Sequence, residues 1–212
     1  METNTQRYGP NVIELPSVNR RVTAELVKRV KASVDNKMFY LLSGLTIDVA
    51  DALFEEMREM EEQQALASHF NIMRALKTEA GTYRQEFGSM LNLSWMNLLK
   101  GKDEPAVADT VGAVAKDLQL YCRKHQNHYK ILLEEVRQRF CGMTNMDLSF
   151  HPMLPANFYL CFWYSTEHLS LSYEERRLVV SLFHRFVMDR FGQILAAVND
   201  RMKGLEIEPV KF

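Results

Sequence analysis

The last third of the chain, residues 151–202, constrains the fold more than any other stretch. After two prolines it holds a segment, PANFYLCFWYS, that is apolar on almost every side. A helix of that kind is usually buried at the centre of a bundle. Ser172 and Glu175 then form a capping box that opens a second apolar helix. The sequence therefore predicts a central helix over 155–168, with a long helix over 172–203 packed along it.

Helical spacing of apolar residues continues through the rest of the chain. A first helix is predicted from Ser17 to about Leu42, with Gly44 as its stop and a second helix beyond. Its apolar stripe is Val22, Leu26, Val30 and Val34. Further helical patterns cover 63–99 and 105–140, and no strand alternation or internal repeat interrupts them. We expect an all-α protein, a single bundle of about six helices, several of them long.

The length of 212 residues suits one domain with a sizeable core. We assign residues 17–204 to the helical bundle. The polar, proline-containing segment 1–16 is predicted to be a flexible or docking N-terminal arm, and residues 205–212 a C-terminal tail.

Composition narrows the class of protein further. The formal net charge of -1 argues against a dedicated nucleic-acid binder, which usually carries a basic excess. Three widely spaced cysteines fit a reducing compartment better than a disulfide framework. No apolar run is long enough for a signal peptide or a membrane span. We therefore expect a cytoplasmic protein.

No motif in the sequence points to catalysis, a cofactor or a metal. Cys122, His125 and His128 stand three residues apart, which spreads them around a helix, so they cannot readily converge on one ion. The surrounding RKHQNHYK stretch is predicted to be a solvated polar face, and His184 a histidine at the edge of the core. Metalloprotease, nucleophile-elbow and phosphate-loop signatures are all missing. We expect no metal site, no cofactor and no enzymatic activity. The alternative is an enzyme built from dispersed residues, for which the acid and base candidates are Glu134, Glu135, His125 and His168.

Two sets of residues are candidates for binding a partner protein. Tyr159 and Trp163 share one face of the aromatic helix, and aromatic residues dominate binding hot spots, although core packing explains them better. Asp51, Glu55 and Glu59 form an acidic row that could meet a basic partner, although such rows are often only solvated faces.

Two stretches resemble a known family. One is LSYEERRLVVSLFHRFVMDRFGQILAAVNDRM, and the other is DVADALFEEMREMEEQQALASHFNIMRALKTEAGTYRQEF. Both resemble the bacterial family called domain of unknown function 1631, and they align most of this chain with its amino-terminal helical part. The chain departs from the family pattern at HPMLPANF and at GKDEPAVADTVGAVAKDLQ.

The resemblance implies a fold and carries no catalytic signature. Family members are usually several times longer, with a carboxy-terminal region like a cyclic-dinucleotide-sensing barrel. They are often labelled thymidine phosphorylase, but this chain has neither a phosphate-binding glycine loop nor an α/β pattern. By this resemblance we expect a stand-alone module that mimics, competes with or supplements a larger family member.

The functional hypothesis is a non-catalytic adaptor or regulator that binds another protein and could form a homodimer. The alternative is a helical sensor that holds a small apolar or nucleotide ligand between its helices.

Overall fold

The computed structural model describes residues 17–104 and 116–211, which form eight α-helices and one 3₁₀ turn. The helices are α1 (Ser17–Met57), α2 (Gln63–Thr78), α3 (Ala80–Leu99), α4 (Lys116–His128), α5 (Lys130–Thr144), α6 (Pro155–Ser165), α7 (Tyr173–Phe186) and α8 (Phe191–Gly204). These residues contain no strand, so the predicted all-α bundle is confirmed. The predicted arm at 1–16 and the predicted helix start at Pro105 lie outside the described residues.

The first helix is longer than predicted, because α1 continues through Gly44 as one helix of 41 residues. A glycine inside a helix costs only about 1 kcal/mol. Burial outweighs that cost, since one apolar stripe stays in phase on both sides of the glycine. Its buried members are Val27, Val30, Val34, Met38, Leu42, Leu45, Val49 and Leu53.

Three other predicted helices are interrupted instead. The 63–99 pattern divides into α2 and α3 at Glu79, and α4 gives way to α5 at Tyr129. The long helix predicted after Ser172 divides at the 3₁₀ turn Met188–Arg190 and ends, as α8, at Gly204. Within the described residues, no helix is long and apolar enough to cross a membrane.

Helix α6 lies at the centre of the bundle, against α3, α4 and α7. It ends at Ser165, and most of its side chains are buried. The Phe162 ring stacks on Phe183 of α7 at 4.0 Å between centroids. Asn157 is a buried polar residue at this centre, where its side chain donates to the Pro152 carbonyl at 2.9 Å and accepts from Ser94 Oγ at 2.7 Å.

The predicted capping box at the start of α7 is confirmed. Ser172 Oγ accepts a hydrogen bond from the Glu175 amide, and the Glu175 carboxylate accepts one from the Ser172 amide. Glu175 also accepts from Ser68 Oγ and from Asn71 Nδ2 of α2. The cap therefore joins α7 to α2 as well as satisfying the first turn of α7.

Residues 205–211, predicted as a tail, lie along α5. Ile207 is buried, and the Val210 amide donates to the Gln138 carbonyl at 2.9 Å. Arg139 donates to the Ile207 carbonyl and to Asn199 Oδ1. The chain can approach α5 this closely because Gly142 has no side chain: a Cβ there would lie 2.2 Å from the Glu208 carbonyl oxygen.

Candidate functional site

An acidic groove lies between α1 and α7. It has a volume of about 480 Å³. Its lining consists of Asp48, Asp51, Ala52, Glu55 and Glu56 of α1 with Arg185 and Phe186 of α7. Asp48, Asp51 and Glu55 stand at spacings of three and four residues, which bring side chains to neighbouring positions on a helix, and Glu56 also lines the groove.

The four carboxylates differ in their ion-pair and hydrogen-bond partners. Glu55 pairs with Arg58 at 3.1 Å, and a Glu56 oxygen lies 3.2 Å from Nε2 of the buried His69. Within the described residues, no hydrogen bond or ion pair reaches the side chains of Asp48 and Asp51. These two carboxylates can therefore meet a cation that arrives from outside.

Helix α7 gives the groove a partly apolar wall. Phe186 is half-buried, and the Arg185 guanidinium carbon lies 5.1 Å from the centre of its ring. One arginine offsets one of the four carboxylates, so the groove keeps a net negative charge. An apolar wall beside carboxylates suits a side chain with an aliphatic stem and a cationic head, as lysine and arginine have.

The sequence identified part of this groove and missed the rest. Asp51 and Glu55 line it as members of the predicted acidic row, whereas Glu59 is exposed beyond its end. Arg185 and Phe186 were not predicted, because they follow more than 120 residues later and no local pattern links them to α1.

The structure corrects the suggestion that Tyr159 and Trp163 bind a partner. The Tyr159 side chain is completely buried, and Trp163 is 5% exposed. Arg176 covers Trp163, with its guanidinium 4.1 Å from the ring centre and a hydrogen bond of 2.9 Å to the Trp163 carbonyl. Both aromatic residues pack in the core, which leaves the face of α6 without an exposed docking surface.

A second cluster joins α4, α6 and α7 through histidine and tyrosine. His184 Nδ1 lies 2.6 Å from the Tyr159 hydroxyl and 3.2 Å from His125 Nε2. The Tyr121 ring stacks on His184 at 4.0 Å. His184 is half-buried, as predicted for the edge of the core, but His125 is 6% exposed. The predicted solvated face is therefore wrong for His125, whose spacing from Leu118 and Tyr129 continues the apolar stripe of α4.

Burial governs the titration of this cluster. Burial lowers the pKa of His125 to about 4, and repulsion from His184 and Lys124 acts in the same direction. Burial also lowers the pKa of His184 and raises that of the Tyr159 hydroxyl. The cluster is therefore neutral at pH 7, with the tyrosine hydroxyl placed to donate to a neutral imidazole.

We expect the protein to become less stable as the pH is lowered, because of these histidines. The unfolded chain binds protons near pH 6.5, whereas folded His125 does so only near pH 4, so the free energy of unfolding decreases as pH falls through that window. Between pH 7 and pH 5, His125 alone lowers the free energy of unfolding by on the order of 2 kcal/mol. In urea unfolding at pH 7, 6 and 5, His125→Phe should show a shallower pH dependence than the wild type.

The control for this measurement is His168→Gln, because His168 is exposed after α6. It should keep the wild-type dependence on pH. An equal slope in His125→Phe and the wild type would contradict the assignment. His151 gives every variant some dependence of stability on pH, because its complete burial lowers its pKa to about 3.

The remaining acid and base candidates are held in separate structural pairs. Glu134 accepts hydrogen bonds from Arg137 and Gln138, which lower its pKa to about 2. Glu135 accepts from Asn199 Nδ2 at 2.6 Å. The described residues contain no group of three or more potential ligands that could hold a metal ion.

The described residues form a helical bundle with an acidic groove on its surface. Comparison with known families identifies it further: residues 22–204 match the model described as Protein of unknown function (DUF1631) N-terminal domain. The match covers most of the chain, so the chain belongs to this family. No curated protein and no solved structure matches it.

Proposed function

We propose that the protein is a non-catalytic adaptor or regulatory module that acts through protein–protein interaction in the bacterial cytoplasm. The observation that carries the proposal is the acidic groove. Its partner is a protein segment that carries lysine or arginine side chains. Their cationic groups contact Asp48 and Asp51, and their aliphatic stems pack on Phe186.

The charge of the groove favours this partner over the alternative of a nucleotide ligand. Phosphates brought beside four carboxylates would meet like charge, which costs several kcal/mol at an interface. A basic segment gains from the same field, mostly through a faster association rate that falls with salt.

The non-catalytic part of the proposal is supported by how the acids and bases are used. Glu134 and Glu135 lie on α5 and His125 on α4, and each of the three contacts a different partner. No hydrogen bond joins any two of them within the described residues. General acid–base catalysis needs such groups at hydrogen-bonding distance from one reacting centre.

The test is affinity capture from the native bacterium with mass spectrometry, using three forms of the protein. The groove variant is Asp48→Lys/Glu55→Lys. The control is Asp200→Lys/Glu208→Lys, which makes the same change of charge at exposed positions that do not line the groove. We expect the wild type and the control to recover the same protein, and the groove variant to lose it.

Two results would count against the proposal. One is recovery of no protein by the wild type, and the other is equal recovery by the groove variant. Circular dichroism of all three forms checks that the substitutions leave the bundle folded.

A further inference from the structure

The outer face of α1 carries an exposed apolar stripe. Tyr40, Ile47 and Phe54 stand seven residues apart, so they drift by only about 20° per step around the helix. Their side chains are 76%, 65% and 56% exposed. This α1 stripe lies opposite the buried stripe that includes Leu45 and Val49.

The size of the α1 stripe suits an interface. Aromatic side chains carry roughly 150–250 Å² each, so three large residues exposed to this extent offer on the order of 350 Å². Contiguous exposed apolar patches of about that size are often functional on monomers. Two such stripes together bury about 700 Å², and flanking polar residues bring the total toward the ~1,200 Å² of a specific interface.

Charge along α1 decides what covers the stripe. From residue 23 to 40 the helix has four cations against two carboxylates, and from 41 to its end at Met57 it has four carboxylates and no Lys or Arg. The helix is about 60 Å long, so its two ends carry separate fields of opposite sign. If a second α1 packs antiparallel, its positive half faces the negative half of the first helix at both ends. If it packs parallel, halves of like charge face each other.

We propose that two copies of this chain associate through antiparallel packing of their α1 stripes. The two-fold axis passes beside Ile47, which packs on Ile47 of the second copy, and each Tyr40 packs on Phe54. Lys37 then lies near Glu55 of the other α1 and near Glu59, which follows the end of that helix. A self-complementary face of this kind is what a two-fold dimer requires. The apolar stripe is separate from the lining of the acidic groove, although Glu55 borders both, and the proposal does not depend on the adaptor role.

Sedimentation velocity from about 1 to 100 µM tests the association, because an interface at the lower limit of specific interfaces is expected to give a weak dimer. Ile47→Glu should be monomeric throughout that range, since it places a carboxylate at the two-fold axis. The matched control is Ile131→Glu on α5, where the isoleucine is 77% exposed, and it should dimerise as the wild type does. Circular dichroism confirms that both variants are folded.

A wild type that stays monomeric at the highest concentration would overturn the proposal. So would a dimer that Ile47→Glu leaves intact, because the interface would then lie elsewhere.

Disulfide trapping tests the orientation in a Cys122→Ser background, since Cys122 is the native cysteine that is not fully buried. Tyr40→Cys protein mixed with Phe54→Cys protein should form a linked dimer under oxidation. Neither protein alone should link to itself to the same extent. Efficient self-linking of Tyr40→Cys would indicate parallel helices and overturn the antiparallel arrangement.

Discussion

Replacing Phe162 with alanine is expected to lower the free energy of unfolding by about 3–5 kcal/mol. The Phe162 side chain is completely buried at the centre of α6. Its ring stacks on Phe183 with only 9° between the planes, and its edge meets the Tyr83 ring at 6.3 Å. Truncation removes contacts to α3 and α7 together and leaves a cavity that three packed helices cannot close.

The loss is large against the whole stability of a domain, which is usually 5–15 kcal/mol. The midpoint of thermal unfolding should fall by about 10 °C, given roughly 2–4 °C per kcal/mol in a chain of this size. Urea unfolding followed by circular dichroism measures both the free energy and its slope.

Phe70→Ala is the matched control, because Phe70 is 57% exposed on α2. That change should stay within about 0.5 kcal/mol of the wild type, as surface substitutions do. Equal losses in the two variants would mean that α6 is not the centre of the core. A double-mutant cycle with Phe183→Ala then isolates the stacking, which should couple the two sites by about 0.5–1.5 kcal/mol.

The sequence predicts the fold class well because the relevant signals are local. Periodicity identifies the buried stripe of α1, and the Ser172 cap begins α7 where the capping box places it. Helix ends are harder to predict, because they depend on tertiary contacts. Gly44 has the appearance of a stop, but no atom outside its own helix segment crowds it closely, and the buried stripe carries the helix past it.

The role of a glycine is equally hard to predict from the sequence at other positions. Gly81 and Gly88 lie inside α3, and a Cβ at either position would meet nothing within 4 Å, so neither marks a close helix crossing. Gly142 does not end its helix, because α5 continues to Thr144 and is capped by Asn145, whose φ is 53°. The close approach occurs at Gly142, where the partner is the C-terminal segment more than 60 residues later.

The candidate site was predictable only in the half that lies on one helix. The acidic side of α1 follows from spacing, whereas Phe186 joins the groove only once α7 packs against α1. The aromatic residues of α6 present the opposite case. Composition alone allows Tyr159 to be a docking residue, and only the surrounding helices place its ring in the core and its hydroxyl against His184.

Gly142→Ala should detach the C-terminal segment 205–211 from α5, although alanine is the better helix former. Alanine in a helix interior gains about 1 kcal/mol over glycine. Here the new Cβ would stand 2.2 Å from the Glu208 carbonyl oxygen and 3.3 Å from the Val210 side chain, so the segment must move. Movement exposes Ile207 and breaks the hydrogen bond from the Val210 amide to Gln138. A net loss of about 1–3 kcal/mol is expected.

Gly88→Ala on α3 is the control with the opposite sign, because no atom lies within 4 Å of its Cβ position. It should raise the free energy of unfolding by up to about 1 kcal/mol. Amide hydrogen exchange separates the two effects: protection of Val210 should disappear in Gly142→Ala and remain in Gly88→Ala. If Gly142→Ala is stabilised and keeps that protection, the segment stays on α5 without the glycine, and the glycine has no role in holding it there.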